Sequence, residues 1–390
     1  MQSAAEEDWS VLTGLFPEGW QQEAVRTGAV ERLRGFSSPD TLLRTLLLHV
    51  GSGFSLRETA LRAKLASWAD VSDVALLKRL RNSEPWLKSL CVQLMAEGGL
   101  DARCGDSPRL RIVDGTIVKE QGKTGSQWRI LYAIRLPELE CDFFEVTAAE
   151  GAGNGESLTR IPAHRGELIL GDAGYAGVPG LLAMKQKGAD VLIRVNPASF
   201  PAYGPGNRRF PLLERVTHLT QAGEVREWKV GLRSDNSEQV PGRLCAIRKS
   251  ELAIAQAERR LRRKESKKQI KLKPAALEFS RYVMVFTTYE QGTAAQVLQW
   301  YRMRWQIELV FKRLKSLMRL GHLPKYDARS SRAWLYGKLL IALLTQKLIR
   351  TGRYLSPWGY ALRPALGVNF SSRFTKSSTR SSPFFLSERP

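Results

Sequence analysis

Three carboxylates define the chemistry open to this chain. Asp114 follows Leu110-Arg111-Ile112-Val113 and precedes Gly115, while Asp172 follows Leu168-Ile169-Leu170-Gly171 and precedes Ala173-Gly174-Tyr175. Each stands where a strand ends beside small residues, a place with room for a ligand at a sheet edge. Taken singly, either Asp also reads as a strand-end turn residue. The third, Glu308, lies in the helical segment from Trp300 to Lys315. At about 100° per residue, Tyr301, Arg304, Glu308 and Lys315 fall within an arc of about 60°, one polar stripe on one helix. Ile307, Val310, Leu314 and Leu317 project from the opposite side as its core anchor. Taken alone, that helix is better accounted for as an amphipathic helix with an Arg304–Glu308 pair at i, i+4 spacing.

Other metal chemistries have little support. His49, His164, His218 and His322 lie apart, and Cys91, Cys104, Cys141 and Cys245 form no CxxC pair. Neither a zinc site nor a disulfide framework follows from such spacing, so any metal is expected on carboxylates. The chain has 390 residues, with 60 Lys or Arg against 38 Asp or Glu, a net charge of +22. With an isoelectric point near 10.1, a polyanionic partner is expected, and nucleic acid leads. The acidic amino-terminal stretch and the short apolar run Leu339 to Leu344, bounded by Lys338 and Lys347, suit a soluble intracellular protein.

Patterning then supplies the elements that must position these residues. Residues 1 to about 105 read as helical, with a capped start at Ser37-Ser38-Pro39-Asp40 and a Ser-x-x-Glu capping box at Ser55. The helices near 55–60 and 70–81 fit a helix-turn-helix DNA reader, or equally a helical subdomain with a solvated basic face. From 106 to 200 the period changes to strands at 109–118, 127–136, 142–148, 167–170 and 189–195, with a Gly-rich connection at 151–155. Three strands, a crossover and two more predict an α/β core with a mixed sheet. Residues 201–278 read as a mostly β insertion with strands at 209–216, 225–232 and 243–248, followed by a basic helical run. That run, Arg259, Arg260, Arg262, Arg263, Lys264, Lys267, Lys268, Lys271 and Lys273, can meet a phosphate backbone at several points. Residues 279–350 return to the core with a strand at 282–288 and one long helix from Thr293 to about Leu320. The Ser-, Arg- and Pro-rich tail, 351–390, has no sustained period and is expected to be irregular.

The spacing Tyr-x2-Arg-x3-Glu-x6-Lys, here Tyr301, Arg304, Glu308 and Lys315, resembles the signature helix of the IS4 family of bacterial insertion-sequence transposases. The segments IVDGT around Asp114 and LILGDAGYAG around Asp172 resemble that family's first two catalytic motifs, in the family's order, and the likeness spans about residues 35 to 350. It implies a ribonuclease-H-like core carrying a DDE triad. Asp114, Asp172 and Glu308 would be catalytic metal ligands for two Mg²⁺ or Mn²⁺ ions, hard cations that prefer oxygen and can flank a reacting phosphodiester. Tyr301, Arg304 and Lys315 would hold phosphates at the reacting end. Trp305 would either stack on an unpaired base or pack in the core. The implied activity is binding of terminal inverted repeats in double-stranded DNA, cleavage and strand transfer. A homodimer in the synaptic complex and a place in the bacterial cytoplasm at the nucleoid go with it. A catalytically silent DNA-binding derivative and a hydrolytic nuclease without strand transfer are the competing readings.

Overall fold

Local capping chemistry starts many of the helices in the computed structural model, which describes residues 4–97, 108–120, 122, 127–200, 202–204, 208–233, 239–269, 271–324 and 326–352. The carboxyl-terminal tail, 353–390, lies outside the described residues. In chain order come α1 (Ala4–Thr13), α2 (Trp20–Arg26), α3 (Pro39–Ser52), α4 (Leu56–Leu65), α5 (Asp73–Asn82), α6 (Glu84–Glu97), β1 (Arg109–Lys119), β2 (Gln127–Arg135) and β3 (Glu140–Ala148). There follow β4 (Glu167–Gly171), α7 (Val178–Gln186), β5 (Asp190–Arg194), β6 (Ala202–Tyr203), α8 (Leu212–Thr217), β7 (Val225–Arg233), β8 (Gln239–Arg248), α9 (Glu251–Lys268) and α10 (Pro274–Phe279). The last are β9 (Tyr282–Thr287), α11 (Ala294–Arg302), α12 (Trp305–Ser316) and α13 (Ala328–Gly352). Ser38 begins α3 with a reciprocal box to Thr41. Ser55 accepts the Glu58 amide, but the Glu58 carboxylate turns to Arg62, so only half of the expected box forms.

Two compact units result, one from Met1–Glu156 with Trp305–Leu355, the other containing Ser157–Arg304. In the first, α13 is the shared wall against which α3, α5 and α6 lie. Its residues Trp334, Leu335, Leu339, Leu340 and Leu343 are buried, as are Leu42, Leu46, Leu80, Leu87 and Leu90 on its partners. A Cβ on Gly337 would meet Val50 at 3.2 Å, so glycine lets α13 come close to α3. The same unit contains the antiparallel meander β1–β2–β3, with Asp114 opposite Tyr132. α12 packs on β1, and the Phe311 ring meets Tyr132 edge-on at 5.9 Å.

In the second unit the strand order is β4-β5-β9-β8-β7-β6. β4 and β5 are parallel, joined through α7, and the remaining pairs are antiparallel, so the sheet is mixed as expected. β8 bonds directly to β9, so the strands of the 201–278 segment extend this sheet.

Three local expectations need correction. The strand expected at 209–216 is the helix α8, because Leu212 and Val216 bury at i, i+4 while Leu213 is exposed. The helix expected from Thr293 to Leu320 breaks: the Met303 and Arg304 amides bond to the Trp300 and Tyr301 carbonyls, closing a tight i→i+3 turn between α11 and α12. Leu317, expected in the core, lies past the end of α12 and is 78% exposed; Phe311 takes the buried position.

Replacing the fully buried Leu340 with Ala should cost about 2–5 kcal/mol in urea unfolding, and the same change at exposed Leu348 within about 0.5 kcal/mol. Equal costs would show that α13 is not the wall of this unit.

Candidate active site

Asp114 lies inside β1, not at its end, because the strand runs on to Lys119. Its carboxylate accepts the Gly115 amide at 2.8 Å. A Cβ on Gly115 would stand 2.5 Å from Oε1 of Glu156, so glycine here makes room for a second carboxylate. Glu156 is held by Arg129 of β2 at 2.7 Å. Carboxylate oxygens of Asp114 and Glu156 lie within 4.8 Å of one another. Two acids at that separation favour a cation between them, and their oxygen donors suit a hard divalent ion. Glu156 escapes a reading of the sequence because it directly follows the Gly-rich stretch, which carries no signal beyond that of a connection.

Elsewhere in the same unit, α12 presents Glu308 and Lys315 two turns apart, with Ile307, Val310, Phe311 and Leu314 buried beneath. Trp305 opens that helix and is 42% exposed. That excludes its burial in the core and leaves a ring face open.

Asp172 follows β4 and caps a short 3-10 turn, Ala173–Tyr175, accepting the Gly174 amide at 2.7 Å. Parallel register with β5, Gly171 opposite Ile193, brings Arg194 to the corresponding strand end. Tyr301 closes the group from α11. Burial pushes its phenol up to about 12; the Arg304 and Arg194 guanidinium groups oppose that shift, and the Asp172 carboxylate adds to it. Asp172, Arg194 and Arg304 therefore all lie within electrostatic reach of Tyr301 in the second unit. Arg194 carries no signal in the sequence, where it reads as the ordinary polar end of a strand.

The signature residues do not form the single helical stripe expected. Tyr301 is on α11, Arg304 is in the turn, and Glu308 and Lys315 are on α12. The basic run is helical: Arg259, Arg260, Arg262, Arg263, Lys264, Lys267 and Lys268 all ride on α9. Ser250 caps that helix, and Ala253 and Ile254 anchor it, while Arg259, Arg262, Arg263, Lys264, Lys267 and Lys268 are exposed. Lys271 and Lys273 follow its end.

A family model for the transposase DDE domain matches residues 145–344. InsL of insertion sequence element IS186A from Escherichia coli K12 is 31% identical over 353 residues, covering 88% of this chain and 94% of that protein. The chain belongs to the IS4-family DDE transposases. The transposase of insertion sequence element IS421 from Escherichia coli is 30% identical over 354 residues, again 88% of this chain and 94% of the relative. That of IS231C from Bacillus thuringiensis subsp. berliner is 28% identical over 193 residues, 45% and 40% of the two chains. Among solved structures, the catalytic domain of human endonuclease V aligns with 63% of this chain and 97% of its own. Its TM-score of 0.25 and 14% identity are too low to carry an argument. This transposase is thus an enzyme of a family that acts on DNA and uses divalent metal. No helix among the described residues is long and apolar enough to cross a membrane.

Gly115→Ala should expel Glu156 from its place beside Asp114. Stability should fall by about 1–3 kcal/mol, the scale of a broken, largely buried charged hydrogen bond between Arg129 and Glu156, while Mn²⁺ affinity read by electron paramagnetic resonance should fall about 10- to 100-fold. An unchanged affinity would place the ion elsewhere.

Proposed function

We propose that this transposase binds the terminal inverted repeats of its own insertion sequence, cleaves the DNA there and joins the ends to a target. The observation that carries the reading is that α12, bearing Glu308 and Lys315, packs on the strand that bears Asp114. In this reading Asp114, Asp172 and Glu308 hold two divalent ions, Mg²⁺ or Mn²⁺. Bound ions would supply Lewis-acid stabilisation of the attacking and leaving oxygens of the phosphodiester.

The chain's own residues position the DNA. Arg304 can fork onto a phosphate and Lys315 can supply a point charge. The phenol of Tyr301, kept protonated by burial, donates a hydrogen bond without adding negative charge near a phosphodiester. Exposed Trp305 offers a stacking face for an unpaired base. α9 projects its exposed cations from an anchored base, which suits contact with backbone phosphates without base readout. A homodimer in the synaptic complex and a place at the bacterial nucleoid belong to the same proposal.

The full chain incubated with Mg²⁺ or Mn²⁺ and a duplex carrying the element's ends should cut at the repeat boundary and yield joined products. Asp114→Asn, Asp172→Asn and Glu308→Gln should each slow cutting at least about a hundredfold while retaining DNA, since loss of a metal ligand removes several kcal/mol of transition-state stabilisation. A fully active single variant removes that residue from the triad, cutting without joined products favours a hydrolytic nuclease, and binding without cutting favours a silent derivative. Replacing Arg259, Arg262 and Arg263 with Gln should lower the slope of log affinity against log salt by about 0.9 for each phosphate that is no longer neutralised. An unchanged slope takes α9 off the DNA.

A further inference from the structure

Lys338 is the anomaly of α13. It stands within the apolar face that forms the wall of the first unit and is only 2% exposed. Burying an ammonium group is expensive unless an acceptor or counter-charge compensates. Among the described residues Lys338 makes no ion pair and no side-chain hydrogen bond; its recorded neighbour is the face of Trp334, with Nζ 5.1 Å from the ring centroid. Burial and the like charge of Arg319 push the ammonium down to about 8.

The side chain borders a cavity of about 750 Å³ that Arg319, His322, Ser55 and Trp334 also line, with no Asp or Glu among the described residues of its wall. Arg319 lies over Gly53, where a Cβ would be 3.6 Å from its Nη1. It too has no ion pair among the described residues. Tyr326 and His49 border the same cavity but do not add charge. Burial pushes the His49 imidazole down to about 4, so it is neutral near pH 7. The Thr59 hydroxyl donates to the Ser55 carbonyl at 2.8 Å and lies 3.3 Å from His49 Nδ1, and the Phe54 backbone also bonds to this imidazole. His49 Nε2 and the Tyr326 hydroxyl are hydrogen-bonded at 3.0 Å. Lys338, Arg319, His322 and Ser55 are lining residues whose side chains can donate hydrogen bonds.

We infer that this cavity is a phosphate-binding site in the helical part of the transposase, separate from the carboxylate site on β1. Two cationic groups without a counter-ion and a hydroxyl from the amino terminus of α4 match a group with several anionic oxygens. In a DNA-binding enzyme the ligand is a backbone phosphodiester or free inorganic phosphate, and the same donors would take either.

The full chain tests this in two arms, as wild type, Lys338→Met and Arg319→Gln. In the first arm, thermal unfolding is followed in potassium phosphate against potassium chloride of equal ionic strength. A saturable rise in Tm for wild type that both variants lose supports the site with free phosphate as a ligand. In the second, binding to a duplex is titrated with salt. A slope lower by about 0.9 in each variant supports the site with a DNA phosphate as the ligand. Lys338→Met removes a desolvated charge from an apolar wall and should not lower Tm in chloride. If that variant does not fold, Arg319→Gln, at an exposed position, reads the same two arms. No variant-dependent change in either arm overturns the inference. Both arms read unfolding and retention, so their failure leaves the DDE assignment standing, and failure of cleavage by the wild-type enzyme leaves this site standing.

Discussion

Docking of α12 and α13 onto elements laid down far earlier in the chain is the constraint on which the first unit depends. The chain leaves that unit after Glu156 and re-enters it at Trp305. Closing so long an excursion costs only slightly more than closing a shorter one, since the entropy grows with the logarithm of loop length. The closing contacts are apolar and extensive: Trp334, Leu335, Leu339 and Leu340 bury against α3, α5 and α6, and Ile307, Val310, Phe311 and Leu314 bury on the side of α12. Each fully buried side chain contributes about 1.5–3 kcal/mol relative to exposure. A handful of them exceeds the closure cost, and α12, which carries Glu308, lies on β1 because that docking succeeds.

Charge is handled in opposite ways in different places. Within the meander, acids receive guanidinium partners: Arg111 and Arg135 both face Asp142, and Arg129 holds Glu156. Glu156, held by Arg129, stays beside Asp114, with carboxylate oxygens of the two within 4.8 Å. On α9 the reverse holds, with six exposed cations over an anchored base. Carboxylates gathered at Asp114 and Glu156 suit a divalent metal, and cations exposed along α9 suit a polyanion.

Much of this is legible in the sequence because it rests on local rules. The strands at 109–118 and 127–136 are readable from runs of Ile, Val, Leu and aromatic residues, and the start of α3 from Ser38-Pro39. What stays hidden depends on contacts distant in sequence or on a single turn. Glu156 acquires meaning only from Gly115, far away in sequence, whose missing side chain admits it. Arg194 looks like any strand-end arginine until parallel pairing aligns β5 with β4. Leu317 continues a faultless helical period, but the helix stops at Ser316 and the period ceases to matter. Lys338 reads as a boundary of an apolar run, and only the cavity beside it makes its burial conspicuous.

The break at Met303 and Arg304 changes what the signature spacing means. Were it one helix, Tyr-x2-Arg-x3-Glu-x6-Lys would express a single periodicity, and every member would be interchangeable with a neighbour one turn away. Two separate constraints operate instead. The x2 interval carries the chain from the last turn of α11, where Tyr301 is buried within electrostatic reach of Asp172 and Arg194, to the connecting residue Arg304, which also acts on that phenol. The x6 interval is two helical turns of α12 and keeps Glu308 and Lys315 on one face above a buried apolar stripe. Inserting one residue between 303 and 304 would lengthen the turn and shift Arg304 relative to Tyr301 while leaving the phase of α12 unchanged. Inserting one within 309–314 would rotate Lys315 by about 100° away from the Glu308 face. The spacing therefore encodes a turn of set length followed by a helix of set phase.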